Sequence, residues 1–329
     1  MELYPLTFVP VFRQYIWGGR RLGEVLGKPI GPEPRYAESW EVVDHGEDQS
    51  VVAEGPLAGR TLGALLDQFG AALWAGGAKP FPLLLKYLDC NRVLSVQVHP
   101  DDAYGATMDP PDLGKTEAWY VIDAEPESVI YAGLKQGVDR ERFAAAIRSG
   151  EVADVLHTLR PRAGDCIFIP AGTVHALGAG ILVAEIQQSS DTTFRVFDWN
   201  RLDDSGNPRP LHVEQALEVT DYERGEVAPQ IPQPLGDGGE RLVACDKFVL
   251  DRYTGVEARQ LATAGGRILT AVQGEGTLRW SGGGAHGGGT VAMPRGQSVL
   301  VPAALSAVQF EPHPAGATLL SMGSGGSAS

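Results

Sequence analysis

The sequence predicts a mainly β protein of two domains, with a few helices inserted in or flanking the N-terminal one. Three observations carry this reading. Forty-two glycines and 23 prolines make up about a fifth of the chain, against ~12% in ordinary domains, which favours many turns joining short strands over a helical bundle. Short apolar runs bounded by Gly and Pro recur on both sides of a Pro/Gly-rich stretch at 222–240. Helical spacing is found before that stretch and almost nowhere after it. A length of 329 residues accommodates two domains.

Residues 6–12 and 40–43 are apolar runs broken by Gly and Pro and are expected as strands. Residues 57–75 carry Leu62, Leu65, Leu66, Phe69 and Leu73 at helical spacing. From 82 to 99 the chain reads as two strands around a turn at Asp89-Cys90-Asn91, and strands follow at 117–122 and 128–131. Residues 139–159 are expected as a helical pair, with Asp139 as N-cap and Ser149-Gly150 as the break. Strands resume at 166–169, 181–187 and 193–197. The domain limits expected are 1–225 for the first domain, 226–240 for a linker, 241–322 for a small all-β second domain and 323–329 for a flexible tail. Strand-like runs in the second domain lie at 246–253, 267–273, 275–280, 297–301 and 317–321. The Gly-rich insert at 281–289 suits a hairpin tip.

Composition excludes several classes. Apolar residues are 43% and charged residues 21%, so the chain is not intrinsically disordered, and no Gly-X-Y period marks it as collagen. A net charge of −14 repels phosphodiester backbones and anionic lipid, which argues against nucleic-acid or membrane partners. A local basic pocket for a small anionic substrate remains compatible with it. Cys90, Cys166 and Cys245 are too scattered for a disulfide framework or a CxxC metal site, pointing to a reducing, intracellular compartment. The N-terminus lacks a basic region followed by an uninterrupted apolar core, so no signal peptide is expected. No apolar run approaches ~20 residues.

Chemistry concentrates in two elements. In residues 93–99, Val-Leu-Ser-Val-Gln-Val-His, strand alternation places Ser95, Gln97 and His99 on one face and Leu94, Val96 and Val98 on the other. The polar face needs water, partners or a metal, because burying such groups unpaired costs a few kcal/mol each. The second element, Gly164-Asp-Cys-Ile-Phe-Ile-Pro170-Ala-Gly172-Thr-Val-His175, reads as a turn, a short strand, a tight turn and a histidine aimed back across a barrel. Its spacing resembles the second motif of the cupin superfamily of small metal-holding β-barrels. The usual first cupin motif has His-x-His with Glu about five residues on. Here Gln97 stands for the first His, and the matching Glu117 lies 18 residues beyond His99.

That departure is itself a signature. Gln97-x-His-Pro-Asp-Asp102, Gly114-Lys-Thr-Glu-x-Trp-Tyr120 and Pro170-x-Gly-x-x-His175 together resemble the zinc-dependent, type I mannose-6-phosphate isomerases, in their short bacterial branch. Tyr15-Ile-Trp17-Gly-Gly, Ala37-Glu-Ser-Trp40-Glu, Pro82-Leu-Leu-Leu-Lys86 and Glu185-Ile-Gln-Gln-Ser-Ser-Asp191-Thr-Thr-Phe-Arg195 resemble further segments of that family. The resemblance spans about residues 5–225. It implies a fold of two cupin (jelly-roll) barrels and interconversion of mannose 6-phosphate and fructose 6-phosphate through a metal-stabilised cis-enediol.

Carried over position by position, the resemblance implies metal ligands at Gln97, His99, Glu117 and His175, holding one Zn²⁺ per chain in the N-terminal barrel. It implies a catalytic Arg195, with Lys115 and Asp191 in proton transfer and Glu185 as a pocket carboxylate. Arg195 and Lys115, backed by Lys86, suit the phosphate, and Ser95 and Trp17 complete the expected substrate contacts. Where many relatives have His-Lys-Pro-Glu, this chain has Gly114-Lys-Thr-Glu, so no His acts at 114 and the base stays open.

Plainer readings stand beside these. Glu185 also suits a structural carboxylate, Asp191 a turn cap, Arg195 a structural partner of Asp191 or Asp198, and Lys115 a surface position. Trp17 and Trp40 also suit the core. His157, on the helical pattern, and His212, in a polar loop, are expected at the surface, as are His45, His286 and His313. In the second domain Gly296-Gln-Ser-Val-Leu-Val-Pro302 repeats the Gly-five-Pro spacing, but Ala304 and Ala307 replace Gly172 and His175, as in a degenerate barrel copy without a metal.

The expected protein is thus a cytoplasmic enzyme, monomeric or homodimeric, acting on a small phosphosugar. The rivals are another metal-dependent cupin enzyme, such as an oxygenase, and a non-catalytic sugar-phosphate-binding cupin.

Overall fold

Two sheets face each other across the N-terminal half. One is six-stranded, in the order Cys166–Ile169, Glu117–Ala124, Ile181–Gln188, Leu83–Cys90, Glu38–Val42 and Val11–Arg13. The other is five-stranded, in the order Leu156–Leu159, Ile130–Leu134, His175–Leu177, Val96–Val98 and Phe194–Phe197. The computed structural model describes all residues except Met1, Ala78, Asp204, 282–287, Ser306 and 327–329. The central strands Leu83–Cys90 and Ile181–Gln188 are buried along their whole length. That is why they read as continuous apolar runs interrupted by single charged residues, Lys86 and Glu185, on the inner face.

Between the sheets, Trp17, Leu88, Trp119, Ile167, Ile130, Ala132 and Leu177 form a core at one end, and a polar cavity occupies the other. Outside the five-stranded sheet, Val96 and Val98 pack with Phe143, Ala146, Ala216 and Leu217 of two helices, Arg140–Ser149 and Val213–Val219. The alternation expected for residues 95–99 is therefore observed, apolar toward the helices and polar toward the cavity. Leu94 departs from it. It precedes the regular strand and packs with Trp17 and Trp119 instead.

The helix at 57–75 is shorter than its spacing suggested. It runs Leu62–Phe69, begins at Thr61, whose side chain accepts from Ala64 N–H, and tightens into a 3₁₀ turn at Gly70–Ala72. The expected helical pair at 139–159 is corrected. Asp139 caps the helix Arg140–Ser149, and Gly150 at φ 78° ends it in the left-handed region. Then a single 3₁₀ turn, Val152–Val155, leads into the edge strand Leu156–Leu159, which pairs with Ile130–Leu134. An available sheet edge outweighed helical spacing. His157 accordingly sits on a strand, half-buried, 3.6 Å from a Glu226 oxygen. The helix Val213–Val219 was not anticipated, although Val213, Ala216 and Leu217 have the spacing for it.

In the C-terminal half, the runs expected at 267–273 and 275–280 are one strand, Arg267–Trp280. It is bent at Gly274 (φ 64°), where a Cβ would stand 2.1 Å from Gly316 O. It pairs with Ala307–Ser324, Gly289–Met293 and Ser298–Val301, and Phe248–Gly255 extends the sheet on the other side of Ala307–Ser324. The strand Ala307–Ser324 reaches into the segment expected as tail. The expected hairpin tip and His286 lie largely or wholly outside the described residues. Residues 227 and 230 still bond the first barrel, through Val227 N to Ala132 O and Gln230 N to Cys166 O, and Gln233–Pro234 pairs with Glu240–Ala244.

The halves share one apolar core. Leu6 exchanges both backbone hydrogen bonds with Leu300, and Leu83, Leu85, Ile268, Val272, Leu320 and Met322 pack in the same cluster. At ~1.5–3 kcal/mol per buried side chain of this size, that interface holds the barrels as one body.

Candidate active site

The register of the strands assembles the site. Gln97 is directly paired with His175 on one side and Arg195 on the other. Across the barrel, Glu185 is paired with both Lys86 and Trp119, and Glu117 opens the strand next to Gln187. His175 is aimed by the turn before it. Gly172, at φ 83°, donates its N–H to His99 O (2.9 Å) and accepts from Asp221 N–H. A Cβ at Gly172 would press on Asp221 and Val219 O at 3.1 Å.

His99, Glu117 and His175 are each 1% exposed and bring one potential ligand atom apiece within 4.8 Å of one another. Both rings donate Nδ1–H to a carbonyl at 2.9 Å, His99 to Thr192 O and His175 to Thr173 O. Their Nε2 lone pairs therefore face the Glu117 carboxylate, at 3.6 Å from Oε2 and 3.3 Å from Oε1. Burial pushes the His175 imidazole down to about 4, and burial with Lys115 pushes His99 well below the usual range, so neither ring supplies a proton. His99 Nε2 and Glu117 Oε2 have no hydrogen-bond partner. Two imidazole lone pairs converging on one buried carboxylate are a donor set that a divalent cation satisfies, and two imidazoles with oxygen donors suit a borderline ion such as zinc. Gln97 stands beside them, its amide 3.4 Å from His175 Nε2. Burial and the neighbouring Glu185 carboxylate raise Glu117 to about 7.

Next to this cluster runs a buried chain of alternating charge. Lys115 Nζ is 3.2 Å from Glu117 Oε2 and 3.9 Å from Glu185 Oε1, and Lys86 Nζ is 3.1 Å from Glu185 Oε1 and 3.7 Å from Glu38 Oε2. Indole N–H groups complete the carboxylates, Trp119 to Glu185 (3.0 Å) and Trp40 to Glu38 (2.6 Å). The Lys–Glu185 approaches are ion pairs by distance without hydrogen-bond alignment, since Glu185 Oε1 lacks a hydrogen bond. Burial opposes the charge on Glu185, yet Lys86 and Lys115 outweigh it and hold the carboxyl below its usual range. Burial likewise opposes the charge on Lys86, and Glu185 and Glu38 reverse the balance and raise it.

Glu185→Gln leaves two buried lysines without their shared counter-charge and is expected to cost about 3–5 kcal/mol at neutral pH. A carboxyl held below its ordinary 4.5 contributes stability above that pH and loses it on acidification. The stability gap between wild type and variant should therefore narrow as pH falls below 4.5 and through the lower folded-state value, which urea unfolding at several pH values measures.

A cavity of about 310 Å³ opens over these groups, lined among the site residues expected from the sequence by Trp17, Lys86, Ser95, Gln97, Lys115, Glu117, His175, Glu185, Asp191 and Arg195. His99 lies behind it, against Glu117. Lys115 is buried rather than at the surface, and Asp191 is exposed at the rim. Arg195 pairs with neither Asp191 nor Asp198. Its Nε donates to Ser95 Oγ (3.0 Å) and a terminal nitrogen to Pro210 O (3.2 Å). Asp198 instead holds Arg201 and Arg209. Gly114 is enforced: a Cβ there would stand 2.4 Å from Asp101 C.

Among the titratable lining residues, sequence reasoning gave no site role to Tyr15, Glu38, Arg209 and His212. Tyr15 and Glu38 lie in segments whose family resemblance was noted without a role. His212, expected at the surface, lines the cavity and accepts from Arg195 N–H at 3.4 Å. It and Arg209 come from an irregular loop whose position no periodicity reveals.

A two-barrel cupin with, among the described residues, one buried His/Glu/His group that could hold a metal, opening into a cavity lined by residues of both charges, defines the class: a bicupin with a candidate metal centre. A model of the family "Phosphomannose isomerase type I, catalytic domain" matches residues 6–131. The chain is 43% identical over 216 residues to the probable mannose-6-phosphate isomerase GmuF of Bacillus subtilis, covering 66% of this chain and 68% of that one. It is 33% identical over 290 residues to the putative mannose-6-phosphate isomerase YvyI of the same organism, covering 85% and 89%. The crystal structure of a B. subtilis mannose 6-phosphate isomerase superposes with a TM-score of 0.87 at 30% identity, covering 97% of this chain and 99% of that one. The chain belongs to the type I phosphomannose isomerase family. Among the described residues no helix is long and apolar enough to cross a membrane.

Proposed function

We propose that this protein interconverts mannose 6-phosphate and fructose 6-phosphate, with Gln97, His99, Glu117 and His175 holding Zn²⁺ in the first barrel. The observation that carries the reading is the convergence of ligand atoms of His99, Glu117 and His175 at the floor of a cavity whose walls bear fixed cations. Bound there, zinc supplies Lewis-acid polarisation of the sugar oxygens. The residues around it divide the remaining work. Lys86 and Lys115 are largely balanced by Glu38, Glu185 and Glu117, so they tune the floor more than they attract the phosphate. The unbalanced positive charge sits on the opposite wall, where Arg195 stands beside Arg209, and Asp198 alone offsets both Arg209 and Arg201. We assign phosphate binding to Arg195 and Arg209, with His212 beside them, which moves Lys86 behind the front rank.

Aldose–ketose isomerisation moves a proton between C1 and C2 through a cis-enediol. Glu185 is locked by two lysines and an indole, which suits an electrostatic role. Lys115, against the donor set, and Asp191, exposed at the rim, are assigned to proton transfer. Trp17 and Ser95 shape the cavity, Ser95 by orienting Arg195. Such a reaction on a metabolic sugar phosphate belongs in the cytoplasm. The three free cysteines agree with a reducing compartment, and the protein is assigned as a monomer or homodimer.

The test is conversion. Purified protein given mannose 6-phosphate is expected to form fructose 6-phosphate without consuming dioxygen. Tight sugar-phosphate binding without conversion would establish a binding protein, and oxygen uptake an oxygenase.

A further inference from the structure

The second barrel carries no part of the donor set, yet one of its lysines reaches the segment that does. We propose that Lys247, acting through Asp102, positions the 114–117 segment bearing Lys115 and Glu117, so that the second barrel is part of the construction of the site. This rests on the roles given above to Lys115 and Glu117.

Asp102 is a hub. Its Oδ1 accepts from Gly114 N–H (2.9 Å) and from Gln188 Nε2 (2.8 Å), and its Oδ2 receives Lys247 Nζ at 2.7 Å. Gln188 passes the constraint inward, since its Oε1 accepts the N–H of Thr116, between Lys115 and Glu117, at 3.0 Å. Thr116 Oγ1 then accepts Ala171 N–H (3.2 Å) in the turn that aims His175, and Lys115 N–H bonds Pro100 O (2.9 Å) beside His99. Two segments that deliver site residues, 114–117 and 185–188, thus meet at the Asp102 carboxylate, and Thr116 and Lys115 link them onward to the turn before His175 and to Pro100.

The approach of Lys247 is built, not incidental. Phe248, fully buried, packs edge-on against Phe168 at 6.3 Å, on the strand whose Ile169 pairs with Glu117. Lys247 O accepts Gly325 N–H (3.0 Å), which ties the turn to the end of the last strand. The Lys247–Asp102 pair is part-exposed, at 27% and 43%, so it adds little global stability. Its effect falls on geometry, because a charged donor on Oδ2 fixes how Oδ1 faces Gly114 and Gln188.

The experiment compares Lys247→Met, Lys247→Arg, Asp102→Asn and, as a control on the other carboxylate touching Lys247, Asp246→Asn. Two readouts are taken: kcat and KM for mannose 6-phosphate, and the rate of zinc release from resting protein to a chromogenic chelator. Lys247→Met should lower kcat roughly tenfold with KM within about twofold, and should speed zinc release by a similar factor. Lys247→Arg should recover most of both, Asp102→Asn should reproduce or exceed the loss, and Asp246→Asn should match wild type. Where Asp102→Asn fails to fold, the part-exposed Lys247 pair of variants decides. Wild-type kcat and zinc release in Lys247→Met, or no recovery in Lys247→Arg, overturns the proposal. Wild-type protein without isomerase turnover would overturn the functional reading instead, and the zinc-release comparison would still decide the positioning claim.

Discussion

Stripping the protein of divalent metal should abolish turnover, zinc should restore it, and Glu117→Gln should remain on the order of 10³-fold below wild type even with zinc present. Glu117 is the one carboxylate between two imidazole lone pairs, each fixed by its Nδ1–H bond to a carbonyl. A glutamine fits the space but brings an N–H donor, which satisfies an imidazole nitrogen directly and removes the negative charge that a cation would pair with. The variant should therefore fold, with Glu185 left as the carboxylate facing Lys115. Zinc should raise the melting temperature of wild type and leave that of Glu117→Gln nearly unchanged. A variant that keeps stoichiometric zinc and turnover within tenfold of wild type would remove the donor set from the mechanism.

Arg195→Ala should keep its zinc and lose about 10²–10³-fold in kcat/KM. The guanidinium is held at both ends, by Ser95 Oγ and Pro210 O, with a terminal nitrogen free to meet an anion in the cavity. Lysine has no Nε donor for Ser95 and no planar fork, so Arg195→Lys should recover little. Zinc content by elemental analysis beside steady-state kinetics separates this loss from metal loss. Unchanged kcat in Arg195→Ala would exclude a catalytic role.

Much of the site was legible because its residues sit on strands and in tight turns. In residues 95–99 the period of two alone placed Gln97 and His99 opposite Val96 and Val98, and the fold agrees. The Gly-five-Pro-x-Gly-x-x-His spacing encodes a turn whose Gly172 needs φ near 83°, a local requirement that survives as a pattern. Arg209 and His212 were not legible. Their loop has no regular hydrogen-bond ladder, so its course depends on Asp198 gripping Arg209 and on Arg195 meeting Pro210 O, contacts that exist only after folding. The edge strand Leu156–Leu159 was misread for a related reason: its helical spacing is local, whereas the strand edge that captured it belongs to residues 130–134.

By itself, then, the amino-acid order determined the class of the molecule: a β-rich two-part chain with an amide, two imidazoles and a carboxylate in a recognisable series. Only the tertiary structure decided how those groups are electrostatically poised. It buried Lys86 and Lys115 among Glu38, Glu185 and Glu117, left the surplus positive charge to Arg195 and Arg209, and brought Lys247 of the second barrel onto Asp102. The physical reason is range. Strand alternation and turn conformations are set by neighbours within a few positions, whereas charge pairing and burial are sums over residues far apart in the chain, and take their values only once those residues meet.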